Sequence, residues 1–226
     1  DSRNLHKGLH TSYAFAIIVS IIISIVGWFS TPWLLGIMNT PSDTMDDSVL
    51  YLRIYFLGII ATLIYNMGSS IMRAIGDSRR PLYYLIICCV LNITMDLLFV
   101  VVLKMGIAGA AIATILSQGT SAILVTRSLM TSYNMLKLEL RSIRPTLSIL
   151  KSELRIGLPG GLQACTYGLT NMIIQSAING FGTDTTAAWA AFGKMDLIFW
   201  AISGALGTSV TTFSGQNYGA GKMNRV

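Results

Sequence analysis

Apolar residues occur in six long runs along the chain, separated by short polar segments. An α-helix rises about 1.5 Å per residue, so about 20 apolar residues cross the roughly 30 Å of hydrocarbon in a bilayer. Runs of this length predict six transmembrane helices, at residues 13–35, 49–72, 82–103, 107–127, 159–179 and 187–212. The expected fold is therefore all-α, that of a polytopic membrane protein.

The composition supports a membrane class. Hydrophobic residues make up 53% of the chain and charged residues 12%, about half the roughly 25% charge of a soluble domain. Intrinsically disordered chains, coiled coils and strongly acidic or basic soluble domains are excluded because each of these classes needs a larger fraction of charged residues. The net charge of +6 would suggest nucleic acid in a soluble protein, but here the basic residues lie between apolar runs, so no nucleic-acid partner is expected.

Loops rich in basic residues alternate along the chain with loops that have few, and this alternation predicts the topology. Lys and Arg in short loops mark the cytoplasmic side of a membrane protein. Thirteen of the sixteen fall in the opening segment, the segment between the second and third runs, the connection that begins at Arg127 and ends at residue 157, and the closing segment. The loop 39–48, on the opposite side, has three Asp and no basic residue. We therefore expect a multi-pass protein of the plasma membrane, in a bacterium the inner or cell membrane, with both ends of the chain cytoplasmic.

The long connection 128–157 is predicted to divide the chain. Leu147, Leu150 and Leu154 lie on one helical face there, which is typical of an amphipathic helix in the headgroup region. Residues 1–145 would hold four helices, and residues 146–226 the amphipathic segment and two more. Two helices seldom close a polar pathway, so we expect the chain to be part of a longer protein that supplies further helices.

Asp96 is an ionisable residue about 10 Å inside a predicted span, where an unpaired carboxylate costs at least a few kcal/mol. Asn92 precedes it by one helical turn, and Thr114 lies as far after Met105, the midpoint of the next turn, as Asp96 lies before it. These hard oxygens predict a site for H⁺ or Na⁺, with no other metal and no cofactor. The alternative is that Asp96 only hydrogen-bonds neighbouring helices together.

A second set of polar residues follows helical spacing in the last three predicted helices. Polar stripes inside spans face protein or water in preference to lipid. They predict a substrate cavity lined by Gln118, Gln163, Tyr167, Asn171, Lys194 and Asp196. Interhelical hydrogen bonding is the alternative for the uncharged members, and outward snorkelling is the alternative for Lys194. No nucleotide loop, zinc spacing or nucleophile elbow is present, so enzyme activity is not expected.

Five motifs resemble those of the multidrug and toxic compound extrusion (MATE) transporters. They are MRAIGDSRRP at 72–81, LNITMD at 91–96, GIAGAAIAT at 106–114, GLP at 157–159 and GQNYGAGK at 215–222. The resemblance implies a fragment of a transporter with two six-helix lobes. It also implies a cation site at Asn92, Asp96 and Thr114 that is completed by an Asp on an earlier helix. Some members carry a Glu where this chain has Tyr167, so coupling through the first lobe is expected.

The function implied is a cation-coupled antiporter that uses H⁺ or Na⁺ to export amphipathic organic cations and drugs by alternating access. Its partners would be these small molecules, the lipid bilayer and the remaining helices. One alternative is a lipid-linked oligosaccharide flippase of the same superfamily. It would need a larger groove with several cationic residues for pyrophosphate, whereas the predicted spans offer only Lys194. The other is a membrane assembly subunit that transports nothing.

Overall fold

A computed structural model of the chain describes residues 2–37, 42, 44–133 and 137–226, so the predicted loop 39–48 lies partly outside the described residues. Six α-helices occur at the six predicted positions. They are α1 (Ser2–Ile37), α2 (Met45–Ala74), α3 (Arg79–Asp96), α4 (Gly106–Thr131), α5 (Leu147–Asn179) and α6 (Thr183–Gly219). Short 3₁₀ turns occupy Leu140–Ser142 and Met223–Arg225. Most helices extend beyond the apolar runs because a helical backbone satisfies its own hydrogen bonds wherever it lies.

The third predicted helix, 82–103, has two parts. After α3 the backbone becomes a π-helix over Leu97–Val102, and Leu103 donates its N–H to the carbonyl of Leu98 at 2.9 Å. A π-helix bonds each N–H to the fifth residue before it, which inserts an extra residue into the turn. The change of winding begins directly after Asp96.

The predicted headgroup helix and the fifth predicted span are successive parts of one helix. α5 runs without interruption from Leu147 to Asn179 and includes Pro159. Proline lacks an N–H and cannot bond the carbonyl of Arg155, yet the helix continues through it. The prediction that the amphipathic helix is separate from the fifth span is therefore wrong, because one helix contains both.

In the part of the chain that the structure describes, five helices are long and apolar enough to cross a membrane. They are Leu5–Ile37, Met45–Ala74, Arg79–Val102, Gly106–Thr131 and Asp184–Gly219. α5 forms where the fifth span was predicted but is not among these five helices. Gln163, Asn171 and Gln175 lower its apolar content.

Two compact units divide the chain, Asp1–Leu150 and Lys151–Val226. In the first, α2 packs against both α1 and α4, and α4 packs against α3. Glycines permit this close approach, because a β-carbon added at Gly68 would lie 2.1 Å from Val125, and one at Gly58 would lie 2.6 Å from Ile115. The core of the unit includes Leu9, Tyr13, Tyr65, Met72, Val125, Leu129 and Leu138.

A glycine forms the turn between α2 and α3. Gly76 has φ of 91°, a conformation that glycine adopts without steric cost. Asp77 donates its N–H to the carbonyl of Met72, and Gly76 donates to Arg73, both at 2.9 Å. This is the Schellman arrangement that closes a helix C-terminus. Pro81 lies in the first turn of α3, where its missing N–H costs nothing.

Candidate functional site

Asp96 and Asn92 lie one turn apart on α3, and both are half-buried. Asp96 Oδ1 and Asn92 Nδ2 are each out of contact with solvent and without a hydrogen-bond partner. An unmet buried acceptor costs about 1 to 3 kcal/mol, and more if it carries charge. Two such atoms on neighbouring turns of one membrane helix mark a place where a further group would be stabilised.

Thr114 lies on α4, the helix that packs against α3. It is half-buried, and its hydroxyl donates to the carbonyl of Ala110 at 3.0 Å. That bond uses the hydroxyl proton and leaves the oxygen able to accept or to coordinate. The structure thus brings Asn92 and Asp96 onto one helix and Thr114 onto its neighbour. Their convergence on one cation stays a prediction.

The π-helical segment gives the site a feature that the sequence did not predict. Such segments occur frequently at functional sites because the extra residue redirects the side chains around it. Gly109 on α4 faces this segment, and a β-carbon there would lie 3.0 Å from Phe99 Cβ. The backbone beside Asp96 is therefore irregular, and Phe99 within it approaches α4 closely at Gly109.

In the second unit, the predicted cavity residues are largely exposed on α5 and α6. Gln163, Tyr167, Asn171 and Lys194 are exposed, and Asp196 is half-buried. Lys194 and Asp196, two residues apart, point to different sides of α6. Gln118 belongs to the first unit, where it is half-buried on α4. That all six line one cavity stays a prediction.

Trp200 is a residue that sequence reasoning missed. Its indole Nε1–H donates to Asp196 Oδ2 at 3.1 Å, and its ring meets the ring of Tyr167 edge to face, with centroids 5.9 Å apart. Tyr167 and Asp196 are thereby brought together on one tryptophan. The signal was present in the sequence, because residues 196 and 200 have the spacing of side chains that meet on a helix.

Arg53 is a second residue that sequence reasoning missed. It lies within α2, inside an apolar run, and its Cζ is 5.4 Å from the centroid of the Trp28 ring. Arg53 Nε is buried without a hydrogen-bond partner. The expectation that the predicted spans contain only Lys194 as a basic residue is therefore wrong, since α2 supplies Arg53.

A polar cluster, defined here as Asp77, Arg80 and Tyr133, lies where α2, α3 and α4 end. The Tyr133 hydroxyl donates to Asp77 Oδ2 at 2.5 Å, and the Arg80 N–H donates to Asp77 Oδ1 at 3.2 Å. Arg80 Nε also lies 3.5 Å from Asp77 Oδ2, and its guanidinium covers the Tyr133 ring at 5.0 Å.

Burial alone would raise the pKa of Asp77. Hydrogen bonds from Tyr133 and from the Arg80 amide, together with the charge of Arg80, outweigh it and hold the pKa of Asp77 below its ordinary value. Burial, helped by the bond to the Asp77 carboxylate, raises the pKa of Tyr133. At neutral pH the cluster is an ionised carboxylate held between a neutral phenol and a guanidinium.

Within the described ranges, no group of three or more His, Cys, Asp or Glu residues has the arrangement to hold a metal ion. What the arrangement offers is a carboxylate beside an amide in the first unit and a carboxylate beside an indole in the second. Both carboxylates lie on helices long and apolar enough to span a membrane.

Comparison with known proteins identifies the family. The family model described as MatE matches residues 1–98. The chain is 34% identical over 225 residues to a protein of Bacillus subtilis (strain 168) named probable multidrug resistance protein YpnP, an alignment that covers 97% of this chain and 50% of the relative. The chain belongs to the MatE family.

Other MatE proteins match over similar lengths. Probable multidrug resistance protein YoeA of the same organism is 27% identical over 235 residues, covering 100% of this chain and 50% of the relative. A crystal structure of MATE in the bent conformation superposes with a TM-score of 0.85 at 22% identity, over 99% of this chain and 55% of that chain. That likeness shows the MATE fold. The chain spans about half the length of the curated relatives it matches.

Proposed function

We propose that this MatE chain forms part of a cation-coupled antiporter that exports amphipathic organic cations across the plasma membrane by alternating access. The observation that carries the proposal is Asp96, a carboxylate on a membrane helix whose Oδ1 has neither solvent nor a hydrogen-bond partner. Relatives named multidrug resistance proteins support the export of drugs. Because those relatives are about twice as long, the proposal is for a transporter of their length that contains this chain.

The coupling ion is H⁺ or Na⁺, bound at Asp96 with Asn92 and Thr114. A proton would convert Asp96 Oδ1 or its partner oxygen into a donor, and a sodium ion would take the oxygens of all three residues as ligands. Either event neutralises a charge that is costly in hydrocarbon. No resident cofactor is needed for this step.

Neutralisation at Asp96 must act on a structural equilibrium to drive transport. A ligand shifts the equilibrium between two conformations only to the extent that it binds them with different affinities. The π-helical segment directly after Asp96 is the element that we propose responds, by changing how the end of α3 packs on α4. Gly109 supports this, because its missing side chain leaves α4 close to Phe99.

The substrate is proposed to bind the second-unit residues Gln163, Tyr167, Asn171, Lys194 and Asp196. Gln118, which belongs to the first unit, stays a predicted cavity residue. The topology that we propose has both ends of the chain in the cytoplasm, as the basic loops predict. Export would then run from the side of the Asp77, Arg80 and Tyr133 cluster to the side of Lys104. The chain would carry out transport, not a chemical reaction on its substrate.

The test is dye export by the complete transporter reconstituted in liposomes, with an imposed pH or Na⁺ gradient. Asp96→Asn should abolish gradient-driven export because it removes the group that binds the cation, while the protein still inserts and folds. Asp184→Asn, the same change at an exposed position in the first turn of α6, should export normally. Gradient-driven export by Asp96→Asn at the wild-type rate would refute the coupling role.

A flippase for lipid-linked oligosaccharides is the second candidate, and Arg53 is the observation that favours it. With Lys194, it gives the membrane helices two basic residues that suit a diphosphate. Translocation of a fluorescent lipid-linked diphosphate sugar by the wild-type protein, lost in Arg53→Gln and unaffected by Asp96→Asn, would support this candidate over the antiporter. A protein that moves neither dye nor lipid would be an assembly subunit.

A further inference from the structure

A groove of about 270 Å³ opens between α2 and α4 in the first unit. It is lined by Ile64, Ala122, Ile123, Thr126, Arg127 and Met130. The hydroxyls of Thr126 and Tyr13 share a hydrogen bond at 3.3 Å, so the one hydroxyl in the groove already has a partner. The groove therefore presents an apolar wall and a single charged group, the guanidinium of Arg127.

Arg127 places this positive charge at the level of the lipid headgroups. It is about 32 Å along α4 from Gly106, at 1.5 Å per residue, which is close to the roughly 30 Å thickness of the hydrocarbon layer. Ile123 precedes Arg127 by one turn and so lies about 6 Å nearer to the middle of the membrane. The groove thus joins apolar surface at the depth of acyl chains to a cation at the depth of phosphates.

Both of these side chains are open to a partner. Ile123 is 67% exposed, and Arg127 is exposed as well. Arg127 forms no ion pair with any residue that the structure describes. A guanidinium without a carboxylate partner is available to a phosphate group, because its planar N–H groups can bind two phosphate oxygens at once.

The combination of charge and apolar wall selects among possible occupants of the groove. A soluble anion would contact Arg127 but would gain nothing from the wall, and a neutral hydrocarbon would leave the charge unmet. A further membrane helix would need an acidic residue at the depth of Arg127. A phospholipid with a net negative charge has both parts in the required order, since its acyl chains begin just below its phosphate. Basic pockets between membrane helices bind anionic headgroups in this way.

We propose that the groove between α2 and α4 binds one anionic phospholipid. An acyl chain lies along Ile64 and Ile123, and the phosphate pairs with Arg127. The lipid belongs to the leaflet on the side of the basic loops, which is the cytoplasmic leaflet in the proposed topology. The site goes beyond the proposed function and does not depend on it, since lipid binding requires insertion in a membrane but no transport.

A simpler role for Arg127 is that of a topological anchor among the bulk headgroups. An anchor needs no groove, whereas a bound lipid depends on the charge and on the apolar wall together. Arg79, an exposed basic residue at the start of α3 that does not line the groove, is the matched control for charge. Leu116, 43% exposed and two turns before Ile123 on α4, is the matched control for the wall.

The experiment is native mass spectrometry of the purified complete transporter in detergent, titrated with phosphatidylglycerol or with phosphatidylcholine of identical chains. Both lipids carry the phosphate, but choline cancels its charge. We expect the wild type to bind the first phosphatidylglycerol about fivefold more tightly, the effect of one basic residue on an anionic lipid. Arg127→Gln should remove this preference, and Arg127→Lys, which keeps the charge, should retain it. Arg79→Gln should change neither Kd by more than about twofold.

The apolar wall is tested separately. Ile123→Ser should weaken the binding of both lipids severalfold, because it removes apolar surface that either acyl chain would cover. Leu116→Ser makes the same change outside the groove and should weaken neither lipid. Glycerol phosphate, a headgroup without acyl chains, should not compete with phosphatidylglycerol. Thermal melting of each detergent-solubilised variant shows whether it is folded.

Equal Kd values for the two lipids in the wild type would overturn the proposal, as would an unchanged preference in Arg127→Gln. An equal loss of preference in Arg79→Gln would also overturn it, because the effect would then belong to the whole basic surface. Competition by glycerol phosphate would show an anion site that uses no acyl chain. If a helix of the complete transporter covers the groove, neither Ile123→Ser nor Arg127→Gln will change lipid binding, and the proposal fails.

Failure of the proposed function gives a different result. In that case a wild-type protein that exports no dye under any gradient would still bind phosphatidylglycerol in a way that depends on Arg127.

Discussion

The hydroxyl of Tyr133 donates a hydrogen bond to Oδ2 of Asp77 at 2.5 Å, although 56 residues separate the two along the chain. Tyr133 lies two residues after the last residue of α4, and Asp77 lies in the turn between α2 and α3. This bond therefore joins the ends of three helices on the basic side of the protein. Arg80 strengthens the junction by covering the Tyr133 ring and approaching the same carboxylate.

Removing the Tyr133 hydroxyl should destabilise the first unit. Tyr133→Phe keeps the ring and its contact with Arg80 but loses the bond to Asp77, so we expect a loss of roughly 1 kcal/mol, the net value of one such hydrogen bond. The measurement is thermal unfolding of the detergent-solubilised protein at pH 7. Tyr218→Phe, at an exposed tyrosine of α6, should leave the unfolding temperature unchanged. A Tyr133→Phe variant as stable as the wild type would show that the bond adds nothing.

The stability conferred by Asp77 should depend on pH in the acid range. Its pKa is lower in the folded protein than the ordinary 3.8, so the unfolded chain binds the proton more readily. The contribution is therefore fully present above about pH 4 and is lost as the pH falls through the folded-state pKa. The difference in stability between wild type and Asp77→Asn should be constant from pH 5 to pH 8 and should shrink below pH 4. A difference that grew on acidification would contradict this sign.

Helix positions could be predicted from the sequence because the length of an apolar run, and the residue types that begin or end a helix, are local properties of the chain. Six apolar runs predicted six helices, and Gly76 and Pro81 are residue types that commonly end one helix and begin the next. The π-helical segment after Asp96 could not be predicted in this way. It accompanies the close approach of Phe99 to Gly109, a contact between helices that no local pattern encodes.

The residue types of the candidate site could be predicted from the sequence, but the side chains that they contact could not. Asp96 and Asp196 were visible as acids within apolar runs, whereas the Trp200 contact was overlooked because tryptophan in a membrane helix is common. Arg53 was overlooked because one charge barely lowers the apolar content of a long run. Its place over Trp28 depends on how α1 and α2 pack, which the sequence does not specify.

Gly68 should be intolerant of any side chain. A β-carbon there would lie 2.1 Å from Val125 Cγ1 and 2.8 Å from the Tyr13 hydroxyl, so Gly68→Ala must push α2 away from α4. We expect a loss of about 1 to 3 kcal/mol, the usual cost of overpacking a well-filled core. Gly119→Ala on α4 is the matched control, because nothing lies within 4 Å of its added β-carbon.

The two glycine variants should therefore differ in sign. Gly119→Ala should keep or raise the unfolding temperature, since alanine favours a helix over glycine by about 1 kcal/mol. Chemical or thermal unfolding in one detergent measures both. If Gly68→Ala were as stable as Gly119→Ala, α2 and α4 would not approach each other as closely as the structure shows.

The connection between α4 and α5 is held by side chains from α1. His10 Nδ1–H donates to the carbonyl of His6 at 2.7 Å, and His10 Nε2 accepts the N–H of Glu139 at 3.0 Å. Thr11 Oγ1 accepts the N–H of Thr146 at 3.2 Å, and Leu138, in the same connection, is buried.

Loss of these acceptors should loosen the connection. His10→Phe keeps a ring but cannot accept a hydrogen bond, and Thr11→Val removes the second acceptor, so the backbone amides they bind lose partners. Lys137 and Arg141 are exposed in this segment and are sites for trypsin, whereas Arg144 precedes Pro145 and resists cleavage. Limited trypsin digestion of the double variant should cut there several times faster than in the wild type.

Thr131→Val is the control for the digestion, because the Thr131 hydroxyl bonds only its own helix, at the carbonyl of Arg127. Its cleavage rate should equal that of the wild type. Equal rates for the double variant and the wild type would mean that His10 and Thr11 do not restrain the connection.

Lys104, in the turn between the π-helical segment and α4, has φ of 52°. A residue with a β-carbon pays about 1 kcal/mol for this left-handed conformation, and glycine does not. Lys104→Gly should therefore stabilise the protein by up to about 1 kcal/mol, offset in part by the extra freedom of glycine in the unfolded chain. Lys104→Ala removes the same charge but keeps the β-carbon, so it should show no such gain. Comparing the unfolding temperatures of the two variants separates backbone strain from charge, and a larger gain for alanine than for glycine would contradict the left-handed turn.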